Sequence, residues 1–286
     1  MSSRWIDPRR VLARHGLAPR RRFSQNFLVA ERVVSRIAAA TDATEGDVVI
    51  ELGAGLGTLT RVLLETGATV VAVDQDPAML AVLAAELGGE DRVKILAGDA
   101  TTIDLAALRA RTRSPLIVAG NLPYAVTGEI LRNLMAHAHV LERAIVMVQR
   151  EVAARLVAKP ATRAYGALTV FASRTFTIDK MFDVSPASFH PRPEVHSSVV
   201  ALVPRANVPL ESNSFRAVVR ASFDARRKTL RNALIQASTA AQTDDVLSAA
   251  NLKGERRGET LSVEEFERLA HAWAQTGSAS KPSPRR

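Results

Sequence analysis

At 286 residues and 47% hydrophobic composition, the chain can bury one large core and still furnish a smaller second domain. Lys and Arg number 38 against 29 Asp and Glu, and the formal net charge of +9 favours a polyanion such as nucleic acid as partner. The absence of cysteine excludes a disulfide framework, a thiolate zinc site and any thiol nucleophile, including the one that cytosine C5 methylation requires. The Arg-rich N-terminus lacks the apolar run of a signal peptide, and no apolar stretch nears the ~20 residues of a membrane span, so the expected location is cytoplasmic with no membrane contact.

Residues 1–22 carry Arg4, Arg9, Arg10, Arg14, Arg20, Arg21 and Arg22 against Asp7 alone and read as a basic arm. From Ala30 to Ala40 the apolar spacing is helical, and strands and helices then alternate. "DVVIEL" (47–52) predicts a strand, "GTLTRVLLETG" a helix stopped at Gly67, "ATVVAVD" a strand, and "PAMLAVLAAELG" a helix with Pro77 in its first turn and Gly88 beyond its end. "RVKILAGD" and "SPLIVAGN" give two more strands. A helix near Gly128–His137, a strand at "RAIVMVQ", a helix at "EVAARLVA" and late strands at "FTIDKMFDV" and "SSVVALVP" follow.

Continuous apolar strands alternating with helices imply an α/β fold with a mostly parallel sheet covered on both faces, the late strands forming an antiparallel edge. After Pro204 the pattern is purely helical (214–223, 226–237, 243–250 and 262–275), a small all-α domain. The closing "GSASKPSPRR" has no apolar period and reads as a disordered tail. The expected division is an arm at 1–22, an α/β domain at 23–204, a helical domain at 205–276 and a tail at 277–286.

Ligands of open α/β sheets bind outside the carboxyl ends of the strands. Four successive strand ends here carry suitable residues. "ELGAGLG" sets Gly53, Gly55 and Gly57 between a strand and a helix, permitting a tight turn and a close backbone approach to a ligand. Thr58 occupies the place of the third glycine of a dinucleotide fingerprint, which disfavours a nicotinamide dehydrogenase, as does the lack of an obvious hydride-transfer histidine. Asp74 ends the second strand, where an acid meets a ribose, and Asp76 reads as the N-cap of the next helix. Asp99 of "GDA" can accept from an adenine amine or cap a helix, and Asn121 ends the fourth strand.

"AGNLPY" (119–124) adds a proline and an aromatic to that fourth end. The N6 amine of adenine is a poor nucleophile because its lone pair is delocalised into the ring. Carbonyls that accept from the N6 hydrogens favour a pyramidal nitrogen and stabilise the positive charge that develops there. Asn121 supplies one carbonyl, and the Leu122 carbonyl, directed by the following proline, supplies another. Tyr124 offers a face for an extruded base, worth ~1–3 kcal/mol in single-strand binding proteins. The alternative is an Asn-x-Pro turn whose tyrosine packs on the core.

With these blocks on the page, the chain resembles the bacterial small-subunit rRNA adenine N6,N6-dimethyltransferases. The resemblance runs in order over nearly the whole length: "RRRFSQNFL" (20–28), "ELGAGLG", "GNLPY", "VQREVAARLVAKP", "AYGALTV", "PASFHPRPEVHSSVV" (186–200) and "FDARRKTLRNAL" (223–234). It implies a Rossmann-like class I methyltransferase sheet with a small all-α C-terminal domain. It also implies S-adenosylmethionine as donor, and direct in-line transfer, without metal or covalent intermediate, to two adjacent adenosines near the 3′ end of 16S rRNA in the pre-30S subunit. Donor contacts carry over to Asn26, Leu28, Gly53, Gly55, Asp74, Asp99 and Asn121. The adenine is expected on Asn121, Leu122 and Tyr124, with Phe189 as a second stacking face, or else as a hydrophobic loop anchor beside Pro186 and Pro191. Three positions depart from the family pattern: Ser24 where Gly is common, Ala54 where the glycine turn usually has Pro, and Asp74 where the ribose acid is usually Glu.

"RASFDARRKTLRNAL" places Arg226, Arg227, Lys228 and Arg231 on one short segment whose Leu230, Ala233 and Leu234 can face a core. With Arg20, Arg21 and Arg22 they are the expected phosphate contacts, suited to a folded rRNA read by shape and backbone. A monomer is expected. Two rivals are a non-catalytic 30S assembly or RNA-binding factor, disfavoured by the intact glycine turn, Asp74 and "NLPY", and a 23S rRNA adenine dimethyltransferase, disfavoured by "RRKTLRNAL".

Overall fold

The computed structural model describes residues 4–20, 25–112, 114–206, 211–225 and 227–276. In chain order the elements are α1 (Pro8–Arg14), β1 (Phe27–Leu28), α2 (Glu31–Ala40), β2 (Val48–Leu52), α3 (Thr58–Leu63), β3 (Thr69–Asp74), α4 (Pro77–Leu87), β4 (Val93–Ala97), α5 (Leu105–Arg109), β5 (Leu116–Asn121), α6 (Thr127–Ala136), β6 (Leu141–Gln149), α7 (Arg150–Leu156), α8 (Ala167–Thr175), β7 (Phe176–Val184), β8 (Phe189–His190) and β9 (Ser197–Pro204). The helices α9 (Asn213–Asp224), α10 (Leu230–Leu234), α11 (Ala240–Ala249) and α12 (Val263–Gln275) complete the chain.

The chain divides into two compact units, Met1–Ala153 with Thr175–Ala206, and Ala154–Arg174 with Asn207–Arg286. The segment Ala154–Arg174, which the sequence reading puts inside 23–204, groups with the helical unit, because Tyr165 and Val170 are buried among Phe215, Leu230 and Phe266. The tail at 277–286 lies outside the described residues.

In the first unit seven strands form one sheet in the order β4-β3-β2-β5-β6-β9-β7. The first five are mutually parallel, while β9 runs antiparallel to both β6 and β7, the edge expected from the late strands. Val49, Ile50, Leu52, Val70, Ala72, Val73, Ile117, Val118 and Ala119 are buried, which is why these strands read as unbroken apolar runs. Strand β2 has β3 on one side and β5 on the other, so the chain reverses its order there and opens a crevice at the carboxyl ends. Helix α4 starts where the sequence places it: Asp76 accepts from the Ala78 N–H as N-cap, and Pro77 follows at the first helical position.

The N-terminal segment differs from the expected free basic arm. Asp7 caps α1, and Val11 and Leu12 pack with Phe27, Leu56, Met79 and Val82. Four of its arginines pair with acids of the same chain, Arg4 with Glu90, Arg9 with Asp7, Arg14 with Glu86 and Arg20 with Asp76, and the His15 ring lies 2.9 Å from Glu86. Pro8, Val11 and Leu12 are the buried residues of this seven-residue helix, too short a run for a periodic signal.

The helical unit has its own core, in which Phe215, Val218, Leu234, Leu247, Phe266, Leu269 and Trp273 surround Tyr165, whose hydroxyl donates to the Leu261 carbonyl at 2.7 Å. Capping boxes at Thr239/Gln242 and Ser262/Glu265 start α11 and α12. The helix expected at 226–237 begins later, at Leu230, because the Thr229 side chain caps it by accepting from the Asn232 N–H. Among the described residues no helix is long and apolar enough to cross a membrane.

Candidate active site

At the carboxyl ends of β2, β3 and β5 lies a cleft with about 960 Å³ of empty space, its open mouth included. Its walls come from the glycine turn after β2, Asp74, Asp99, the Asn121–Tyr124 stretch and the segment Gln25–Leu28. Gly53 and Gly55 have φ of +75° and +56°, and a Cβ at Gly55 would stand 3.1 Å from the Phe27 ring, so the turn and its contact with β1 both require glycine there. Ala54, where the resemblance implies Pro, uses its N–H to donate to the Val73 carbonyl at 3.0 Å.

The turn is tied to the end of β3 through Asp74. One carboxylate oxygen accepts from the Gly55 N–H and the other from the Asp76 N–H, both at 2.8 Å. Each oxygen keeps a further lone pair, so the group is fixed and still able to accept. Burial raises the Asp74 pKa, against the pull of those two N–H donors. Asp99 lines the cleft, and one of its oxygens accepts from the N–H and hydroxyl of Thr101, each at 2.8 Å; it closes a turn and caps no helix, since the N-cap of α5 is Asp104.

At the foot of β5 the Asn121 side-chain Nδ2 donates to the Asn26 carbonyl at 2.8 Å. That bond decides which end of the amide is spent, leaving Oδ1 to accept. The Leu122 N–H donates to the Met147 carbonyl at 3.1 Å while its side chain is buried, fixing the peptide that precedes Pro123. Tyr124 follows in a single 3-10 turn, and its hydroxyl lies 2.5 Å from the Ser197 hydroxyl. Burial raises the Tyr124 pKa, so the phenol is neutral at ordinary pH.

Phe189 is placed otherwise than the expected second stacking face. It is 4% exposed, pairs with Leu28 in the β1–β8 ladder, packs among Val184 and Val199 and is absent from the cleft lining, so here it acts as the loop anchor. Leu28 and Asn26 do line the cleft, because that short ladder holds their segment against the strand ends. Of the expected phosphate contacts, Arg20 is paired with Asp76 at 3.3 Å and Arg231 donates to both oxygens of Asp244 at 2.6 and 2.7 Å. Arg227 and Lys228 are exposed, with no ion pair among the described residues. Arg21, Arg22, Ser24 and Arg226 lie outside the described residues.

Sequence reasoning passes over two residues, one that contacts a cleft residue from behind and one in the cleft itself. Ser197 is one. The other is Glu51, the first letter of "ELGAGLG", which lines the cleft and accepts from the Thr60 hydroxyl at 2.5 Å. Burial pushes its pKa up to about 8, with the neighbouring Asp74 charge adding to the shift and the Thr60 hydrogen bond opposing it. A lone acid inside an apolar strand was the available signal.

The sheet order, the glycine turn after β2 and the acid ending β3 define a Rossmann-like fold with its cleft at the carboxyl ends of the strands, and its matches to known proteins make it an S-adenosylmethionine-dependent methyltransferase. Residues 16–270 match the family model described as "Ribosomal RNA adenine dimethylase", and the chain belongs to that family. It is 42% identical over 95% of its length to the "Ribosomal RNA small subunit methyltransferase A" of Anaeromyxobacter dehalogenans (strain 2CP-C), of which it covers 99%, and 40% identical over 91% to the protein of that name from Magnetococcus marinus, of which it covers 94%. Among solved structures, it is similar to a dimethyladenosine transferase from Plasmodium falciparum (TM-score 0.76, 24% identity, 88% of this chain and 98% of that one). It is also similar to the 23S rRNA methyltransferase ErmE (TM-score 0.65, 25% identity, 87% and 100%). The chain is thus an enzyme that methylates adenines of ribosomal RNA.

Proposed function

We propose that the protein dimethylates N6 of two adjacent adenosines near the 3′ end of 16S rRNA, acting as a cytoplasmic monomer on the pre-30S subunit. The observation that carries the reading is the Asn121 amide, whose nitrogen is held by the Asn26 carbonyl so that its oxygen stays available beside the donor cleft. The small-subunit target is favoured over 23S rRNA because the relatives near 40% identity are named for the small subunit, whereas ErmE stands at 25%.

The residues present fit the donor. Asp74 would hold the ribose hydroxyls, its two oxygens fixed by N–H donors with lone pairs to spare. Asp99 would accept from the donor's adenine amine, and Asn26, Leu28, Gly53, Gly55 and Asn121 complete the cradle, whose contact with the Phe27 ring a side chain at Gly55 would disturb. When bound, S-adenosylmethionine supplies an electrophilic methyl group on a sulfonium. The Asn121 Oδ1 and the Leu122 carbonyl accept the hydrogens of the target N6. Neither is a base strong enough to remove a proton outright, so their part is to orient the amine and to stabilise charge as it forms. Tyr124 stacks the extruded base. Arg227 and Lys228 grip phosphates, a smaller set than the charge count suggests, because Arg20 and Arg231 are held by acids.

The test is transfer of label from S-adenosylmethionine to immature 30S and to 50S subunits, followed by mass analysis of the rRNA nucleosides. Dimethyladenosine in the 30S sample alone is the expected result. Label confined to 50S would reassign the target to 23S rRNA, and donor binding without label in either would make the protein an assembly factor.

A further inference from the structure

Tyr124 is fixed at both ends of its side chain. Its backbone enters a 3-10 turn directly from Pro123, and its hydroxyl meets Ser197. Ser197 is no mobile loop residue. It opens β9, pairs with Gln149 of β6 on one side and Val184 of β7 on the other, and is 0% exposed. A serine held between two strands has few places for its oxygen, and a tyrosine whose hydroxyl must reach that oxygen has its ring plane set with it.

Ser197 is absent from the cleft lining, so any effect on substrate passes through the ring. Its neighbour provides a contrast. Ser198, on the opposite face of the strand, donates to Asp183 of β7 at 2.6 Å, a bond within the sheet, whereas the Ser197 bond leaves the sheet for the "NLPY" turn. A buried hydroxyl needs a partner, and this one has its partner at the site.

We propose that Ser197 is a positioning residue: through Tyr124 it sets the plane on which the target adenine stacks, and thereby aligns N6 with the Asn121 and Leu122 acceptors. The inference rests on the proposed role of Tyr124 as the stacking face. It gives the buried Ser197 hydroxyl a role at the site, whereas the adjoining buried hydroxyl, that of Ser198, is spent on Asp183 within the sheet.

Ser197→Ala and Tyr124→Phe remove the same bond from opposite ends, the second from a half-buried ring, so it decides the matter should the serine variant fail to fold. On immature 30S subunits at saturating donor, each variant is expected to lower kcat about five- to tenfold, the scale of one neutral hydrogen bond, with donor Kd unchanged. The double variant should fall no further than either single one. In subunits reconstituted with 2-aminopurine at the target position, both should weaken the fluorescence quenching that stacking produces. Additive losses in the double variant, or a lower melting temperature for Ser197→Ala beside full activity in Tyr124→Phe, would overturn the proposal and leave the serine a packing residue. Tyr124→Ala separates the two levels. Full activity in that variant removes the stacking role itself, whereas a large loss there beside unaltered Ser197→Ala and Tyr124→Phe removes the positioning role alone.

Discussion

The cleft and the N-terminal segment use polar side chains in opposite ways. In the cleft Asn121 spends Nδ2 on Asn26 and keeps Oδ1, and the Asp74 oxygens are held by backbone N–H groups, among them those of Gly55 and Asp76, while still lining the cleft. Around α1 the carboxylates are engaged by side chains of the same segment and its neighbours. Glu86 receives Arg14, His15 and Arg61, and Asp76 receives Arg20, Gln25 and the Ala78 N–H. The donors to Asp74 in the cleft are backbone groups fixed by turns, while both Glu86 oxygens meet Arg14 Nη1 and each has a second side-chain partner, His15 Nε2 or Arg61 Nη2. The same carboxylate therefore binds a ligand in one place and braces the chain in the other.

The comparison breaks first at Asn121. Asn121→Ala removes the open acceptor and is expected to cost on the order of a hundredfold or more in kcat, with rRNA affinity nearly unchanged; steady-state transfer and a filter-binding isotherm measure the two. Equal losses in both would mean that the amide serves binding and not the chemical step.

Glu51 tests the cleft by pH. Its folded pKa, near 8, lies above the unfolded 4.5, so the folded state holds a proton that the unfolded chain has released. Stability from this group is full below about pH 4.5 and falls as pH rises toward 8, with a slope of about 1.4 kcal/mol per pH unit while one proton separates the states. Chemical denaturation between pH 5 and 8 should show a steeper decline in the wild type than in Glu51→Gln, and parallel curves would show that the carboxyl is solvated when folded.

Glu86 behaves with the opposite sign. The His15 hydrogen bond, with those of Arg14 and the nearby charge of Arg61, holds its pKa below 4.5, so its stabilisation is present above that value and is lost as pH falls through the lowered pKa. Glu86→Gln should cost about 1–3 kcal/mol at neutral pH, visible as a lower melting temperature with donor affinity retained. A loss of donor affinity instead would make the brace part of the cleft.

Much of this could be read from the residues in order. The β2–β6 sheet follows from continuous apolar runs, and the glycine turn, Asp74 and Asn121 follow from their places at strand ends, because both signals are local. The contacts that finish the site are not local. Asn121 meets Asn26 across 95 residues, Tyr124 meets Ser197 across 73, and Arg14 meets Glu86 across 72. No periodicity encodes such pairs, and the same blindness left Phe189 open between stacking face and loop anchor. The second unit shows the complementary limit: its helices were legible from spacing, but the grouping of Ala154–Arg174 with them depends on where Tyr165 and Val170 are buried.

The smallest effects carry the comparison to the cations. Charge on the page is not charge available to phosphate, since an arginine that binds RNA must first give up any acid it already holds. Arg227→Ala and Lys228→Ala should each reduce the slope of log affinity against log salt by about 1, because neither has an ion pair to exchange among the described residues. Arg20→Ala should leave the slope nearly unaltered, its guanidinium being engaged by Asp76, which is itself buried. Salt titrations of 30S binding for the three variants measure this directly. A slope loss from Arg20→Ala equal to the others would mean that Asp76 yields its partner to phosphate in the complex. The N-terminal segment would then be a reserve of cations released on binding, and the line drawn between bracing and binding groups would hold only for the free protein.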